Sequence, residues 1–304
     1  MWPSRQKQIQ RIETALWEFS NNEIPLLGIP DRQRTHTLAL QMVASIRRLD
    51  YTQAQLKRPI DPRRADPNDP LFDPERAAIF HHKMGNIDEA VWLIFLATHF
   101  GKHGRHKWKR LIDVYSGLGK KTWTWVAVSA DPPAFRAWLS KNESKIGGAF
   151  SNHRKYESLK TASNKGTASV IESYISWIGP SHRARFSQLV QAGGNNPHQI
   201  FDKFYNDMHI ARFGRLGKFD FLAMLGRLDL APIEPGSAYL DGATGPRKGV
   251  RLLIANDPDA AIDVPSMQDL LDKLDAALNV GMQVMEDALC NWQKSPSKFV
   301  HFLG

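Results

Sequence analysis

The spacing of apolar residues constrains this chain most. They recur every three or four positions from end to end, with almost no alternating run that would make a strand. The expected fold is therefore mainly α. Residues 2–20 and 32–50 read as amphipathic helices, the second entered through Pro30 and Asp31. Residues 59–74 repeat Asp-Pro without an apolar face, which predicts a loop between an N-terminal helical layer, 1–58, and a body, 75–304. Asn86 caps a very apolar helix through Phe100, and Asp131 with Pro132 starts another through Lys141. Further helices are expected near 168–178, 183–191, 197–208 and 219–230, with one acidic helix over 266–292.

Nine tryptophans in 304 residues argue for a packed globule. The formal charge is +9, unevenly spread. Between Ala255 and Cys290 eight acids face Lys273 alone, so the remainder carries +16. A body this basic points to a polyanionic partner. Cys290 is the single cysteine, which excludes internal disulfides, cysteine-rich zinc sites and four-cysteine clusters. There is no secretory h-region, and the longest apolar run, Ala90 to Ala97, is too short to span a bilayer. A cytoplasmic protein without membrane partners is expected.

Three segments carry chemistry. Between Thr98 and Lys121, seven Lys or Arg residues, including Lys102, Arg105 and Lys107, are interleaved with Trp108 and Tyr115. That mixture suits phosphates and exposed bases. His99, His103 and His106 have no carboxylate at metalloprotease spacing, so His103 is read as part of the basic face and no metal is expected. The second segment, Ile146 to Leu159, follows Gly147 and Gly148 with Asn152, His153, Arg154, Lys155, Tyr156 and Glu157. So many functional types in one run suggest DNA contact, with Glu157 as a reserve catalytic group. The third, Arg212 to Leu228, sets Gly214 and Gly217 before a helix, like a helix-hairpin-helix turn whose amides face phosphate. Arg212 and Arg215 would join that contact. Asp220 lies between Phe219 and Phe221, where an unpaired carboxylate is costly, and Arg215 or Lys218 is its expected partner. Downstream, Gly245, Arg247 and Lys248 form a second phosphate-binding candidate with Asp241 at its mouth.

The two C-terminal stretches, with NHRKYESL and FLATHFGKH, resemble the third clade of the α-glutamyl/putrescinyl thymine pyrophosphorylase family, over about 88–254. The resemblance implies a divergent helical DNA glycosylase, two-lobed and similar to the helix-hairpin-helix architecture. It links the chain to hypermodified phage DNA and to bacterial anti-phage glycosylases. Ordinary members of that architecture carry a Leu-Pro-Gly-Val-Gly turn, sometimes followed by a Schiff-base lysine. Here the turn reads Phe-Gly-Arg-Leu-Gly-Lys, with an extra residue between the glycines, so Lys218 matches loosely. Asp241 also follows its helix at a greater distance than the catalytic aspartate of those enzymes.

The expected activity is excision of a bulky modified pyrimidine, such as glucosylated hydroxymethylcytosine, from double-stranded phage DNA in anti-phage defence. Asp241, at a loop mouth beside the glycines, is the favoured catalytic carboxylate and Asp220 the second candidate, with Lys218 and Arg215 near the leaving base or phosphates and no cofactor required. The alternatives are a transferase displacing pyrophosphate from an activated thymine, and a non-catalytic reader of modified DNA.

Overall fold

The computed structural model describes residues 1–301, and among them there is no strand, only an isolated bridge between His103 and Lys107. The mainly α expectation holds. Two helices open the chain, α1 (Gln6–Asn22) and α2 (Arg32–Leu56). The middle holds α3 (Pro74–Lys83), α4 (Ile87–Phe100), α5 (Lys109–Tyr115), α6 (Trp125–Ala130) and α7 (Pro132–Asn142). It continues through α8 (Thr167–Ile178), α9 (His182–Gly193), α10 (Pro197–Asp207) and α11 (Arg215–Arg227). Last come α12 (Gly245–Ala255), α13 (Val264–Leu278) and α14 (Met282–Trp292). Among the described residues no helix is long and apolar enough to cross a membrane.

The chain forms two compact units, residues 1–51 with 235–301 and residues 52–234. The division differs from the layer, loop and body read from sequence, for a physical reason. Ile9, Ile12, Leu16 and Phe19 line one face of α1, and α13 packs on α1 with a stripe of its own from Met267 to Leu278. The first unit therefore draws its core from both ends of the chain. The acidic stretch expected as one helix is two. Asn279 takes a left-handed φ of 49° and Gly281 a φ of 86°, which ends α13 and lets α14 begin.

The second unit is built around α4, whose residues from Glu89 to Ala97 are all buried. A helix apolar all round needs neighbours on every side, and α3, α5, α6, α9 and α11 supply them. Asn86 caps α4 and Asp131 caps α7, as the sequence predicts. The Asp-Pro segment is an irregular loop held by its own aspartates. Asp61 and Asp69 accept from backbone amides two residues on, and Asp69 pairs with Arg63 at 2.8 Å. Near its end Asp73 caps α3, which begins at Pro74. The helix expected at 219–230 starts earlier, at Arg215, so Asp220 stands in its second turn.

Candidate active site

The candidate centre lies in the second unit, where Asp220 meets Arg154. The Arg154 guanidinium donates to Asp220 Oδ2 at 3.0 Å and to the Thr98 carbonyl at 2.9 Å. Its side chain is only 10% exposed, whereas that of Asp220 is 44% exposed. Asp220 is thus open to solvent and surrounded by protein at once. Loss of hydration pushes its carboxyl above the usual aspartate range, against the lowering pull of Arg154, His153, Arg215 and Arg227. The hydrogen-bonded partner of Asp220 is thus a residue 66 positions away, while Arg215, one of the two expected partners, contributes its charge. The reason lies in helix geometry: two residues apart on α11 is about 200° of rotation, so Lys218 faces the other way. It donates to the Tyr205 carbonyl at 3.0 Å, and burial lowers its pKa.

Arg154 reaches Asp220 because the chain around it is tightly seated. Gly101 ends α4 with a φ of 63°, and a Cβ there would fall 2.0 Å from Ser151 Oγ. The Ser151 amide donates to the Phe100 carbonyl at 3.0 Å, and Asn152–Arg154 form a 3-10 turn. Gly217 leaves room on the other side, since a Cβ there would lie 3.3 Å from Arg154 Nη1. Beneath this, His99 is fully buried, bonded to Thr167 at 3.0 Å, and held neutral near pKa 3 by burial and by the charge of Arg154.

A second carboxylate belongs to this region. Glu75, in the first turn of α3, is half-buried, and loss of hydration with the nearby Asp73 raises its pKa against Arg227, Lys102 and Arg76. Arg227 acts on Asp220 as well, so both carboxyls sense one guanidinium. Sequence reasoning missed Glu75. An acid just after Asp-Pro reads as an ordinary helix-start residue, and nothing local shows the cations around it.

The remaining expected DNA contacts divide by exposure. Lys102, Arg105, Lys107, Asn152, His153, Lys155, Tyr156 and Arg212 are exposed. Lys102 lies over the Trp108 ring at 5.6 Å, and Trp108 donates to Asp73 at 3.4 Å. His103 is half-buried and caps its own turn, accepting from the amides of Arg105 and His106. Arg212 is already engaged, by the Tyr156 carbonyl at 3.0 Å and by Glu157 at 3.5 Å. Glu157 is 9% exposed, and burial raises its pKa despite Arg212. Arg215 lies over the Phe219 ring at 4.9 Å.

Asp241, Gly245, Arg247 and Lys248 belong to the first unit. Asp241 is exposed and forms no ion pair among the described residues. Gly245 opens α12, and close packing on α14 requires both of the helix's glycines. A Cβ at Gly245 would lie 2.5 Å from Cys290 Sγ, and one at Gly249 would lie 2.4 Å from the Leu289 carbonyl. Lys248 pairs loosely with Asp259 at 3.5 Å.

No curated protein and no solved structure matches the chain. One family model does, over residues 33–304, extending on both sides beyond the 88–254 of the resemblance. By that match the chain belongs to the α-glutamyl/putrescinyl thymine pyrophosphorylase family, clade 3.

Proposed function

We propose that the protein is a DNA glycosylase that excises a bulky modified pyrimidine, with Asp220 as its catalytic carboxylate. One observation carries the reading: Asp220 is open to solvent, yet held where its charge is disfavoured and braced by a buried arginine. Residues kept against their own solvation are concentrated at functional sites. As the C1′–N1 bond breaks, its electron pair leaves on the base and positive charge builds on the sugar. An ionised Asp220 opposes that charge. Water then adds to C1′ and gives up a proton to the carboxylate, while the departing base takes one up from solvent. Arg154 fixes the carboxylate's direction, so Arg154 is a positioning residue. The exposed cations from Lys102 to Lys107, with Lys155, are suited to the phosphates of a flipped nucleotide's strand. Among substrates, glucosylated hydroxymethylcytosine in phage DNA is the proposed one, and anti-phage defence the proposed setting.

The family description favours a second reading, a transferase that displaces pyrophosphate from an activated thymine in DNA and attaches an amine. Incubation with modified and unmodified phage genomes separates the two. Abasic sites confined to the modified genome support excision. Amine incorporation into pyrophosphorylated DNA without abasic sites supports transfer, and tight binding without either product leaves a reader of modified DNA.

A further inference from the structure

The turn that carries Arg154 also carries the most exposed large hydrophobic side chain among the described residues. The Glu157 amide donates to the Arg154 carbonyl at 2.9 Å, which makes residues 154–157 a closed four-residue turn. Its corners point inward: Arg154 is 10% exposed and Glu157 9%. Arg154 is tied to Thr98 and Asp220, Glu157 to Arg212, and Arg212 also holds the Tyr156 carbonyl at 3.0 Å. Arg212 does this from a left-handed backbone, φ 65°, which a side-chain-bearing residue adopts only where its surroundings enforce it. With both corners pinned, the two central residues can only project outward. Lys155 and Tyr156 do so, Tyr156 with 77% of its surface exposed and the Lys155 ammonium 5.1 Å from its ring centre.

A lone tyrosine on a surface is ordinary. One held on a rigid turn, beside a cation and two residues beyond the partner of Asp220, is suited to a particular task. We infer that Tyr156 is a wedge that enters duplex DNA and stacks in the gap left by the nucleotide presented to Asp220. The inference rests on the proposed action on a flipped base. Unstacking a nucleotide costs energy that an inserted ring can offset. The tyrosine ring is apolar on its faces and tolerant of any base. Lys155, beside it, would meet the phosphate flanking the gap. Because Arg154 holds both the turn and Asp220, insertion and alignment of the carboxylate share one anchor.

The test uses the full chain with oligonucleotides containing glucosylated 5-hydroxymethylcytosine beside 2-aminopurine, as a duplex and as a single strand. Binding of the duplex by wild type should raise 2-aminopurine fluorescence as stacking is lost. Tyr156→Ala should abolish the rise and slow excision from the duplex by about ten- to a hundredfold, the scale of one lost base–aromatic stack. Excision from the single strand should stay within about twofold, because no gap needs filling. Tyr156→Phe should restore duplex behaviour, and equal melting of all variants would show that folding is intact. Bound wild type giving no fluorescence change overturns the wedge. So does an equal loss on both substrates, or a Phe variant as defective as Ala. A rise that depends on Tyr156 without any abasic product leaves the wedge standing and refutes the excision reading instead.

Discussion

Two stretches of this chain look alike in sequence and are used differently in the fold. Each sets glycines before a helix, adds basic residues and places an aspartate nearby: Gly214 to Asp220 in the second unit, Asp241 to Gly249 in the first. In the first unit Gly245 and Gly249 permit close contact between α12 and α14, and Asp241 stands exposed without an ion pair among the described residues. In the second, Gly217 makes room for a buried arginine that braces Asp220. A glycine's neighbours in space, not its neighbours in sequence, decide whether it serves packing or a site.

Substitution of the two aspartates would break or sharpen this contrast most. Asp220→Asn should lower single-turnover excision by several powers of ten, since the amide keeps the shape and removes the charge opposing the sugar cation. Asp241→Asn should change it by no more than a few-fold. The reverse ranking would move the centre to the first unit, and parity would discard both aspartates in favour of Glu75 or Glu157.

The glycines give the next largest effects, in opposite currencies. Gly249→Ala forces its methyl against a backbone carbonyl, and overpacking of that kind costs about 1–3 kcal/mol. Thermal melting should show a drop of several degrees. Gly217→Ala meets only the Phe213 ring and the end of Arg154, at 3.2–3.3 Å. Its melting temperature should change little, while excision falls about tenfold because Arg154 is displaced. Equal destabilisation by the two would remove the distinction.

A finer test is the pH dependence of stability. Asp220 has a folded pKa above its unfolded value, so it favours the native state fully only below about pH 4, and that contribution is lost as pH rises through the folded value. Wild type and Asp220→Asn should melt together in acid, with the variant gaining towards neutrality. A variant that melts earlier at neutral pH would make Asp220 a structural partner of Arg154. Excision by wild type should rise over the same interval, as the carboxylate ionises.

The smallest expected effect concerns phosphate contact. Lys155→Ala should weaken binding to modified and unmodified duplex alike and reduce the salt slope by about one. Arg154→Ala, by contrast, should damage excision more than binding, because its Nε and Nη2 already hold Thr98 and Asp220. Measured affinities at two salt concentrations distinguish the pair.

Much of the secondary structure is legible from local chemistry. Asn86 and Asp131 cap the helices they announce, and the Asp-Pro segment makes a loop from its own side chains. The features that went unread are non-local. Nothing near Ile9 indicates that α13 will cover it, and nothing near Asp220 indicates Arg154. The break at Asn279 leaves no mark in the sequence pattern, because a single left-handed residue scarcely disturbs an apolar period. At the site, the exposed cations were visible as a composition, but the inward turn of Arg154 and the setting of Glu75 depend on contacts that only the fold creates.

The composition of the first unit bears on how the protein is made. On the ribosome α1 emerges with Ile9, Ile12, Leu16 and Phe19 ready for burial, yet the helix that covers them begins at Val264. At about 5–20 residues per second, the covering helix follows more than ten seconds later. The whole of 52–234 is synthesised in between as one continuous stretch, able to fold first. The nascent chain therefore carries an uncovered greasy helix past a finished neighbour, and that interval is when a chaperone would have something to hold.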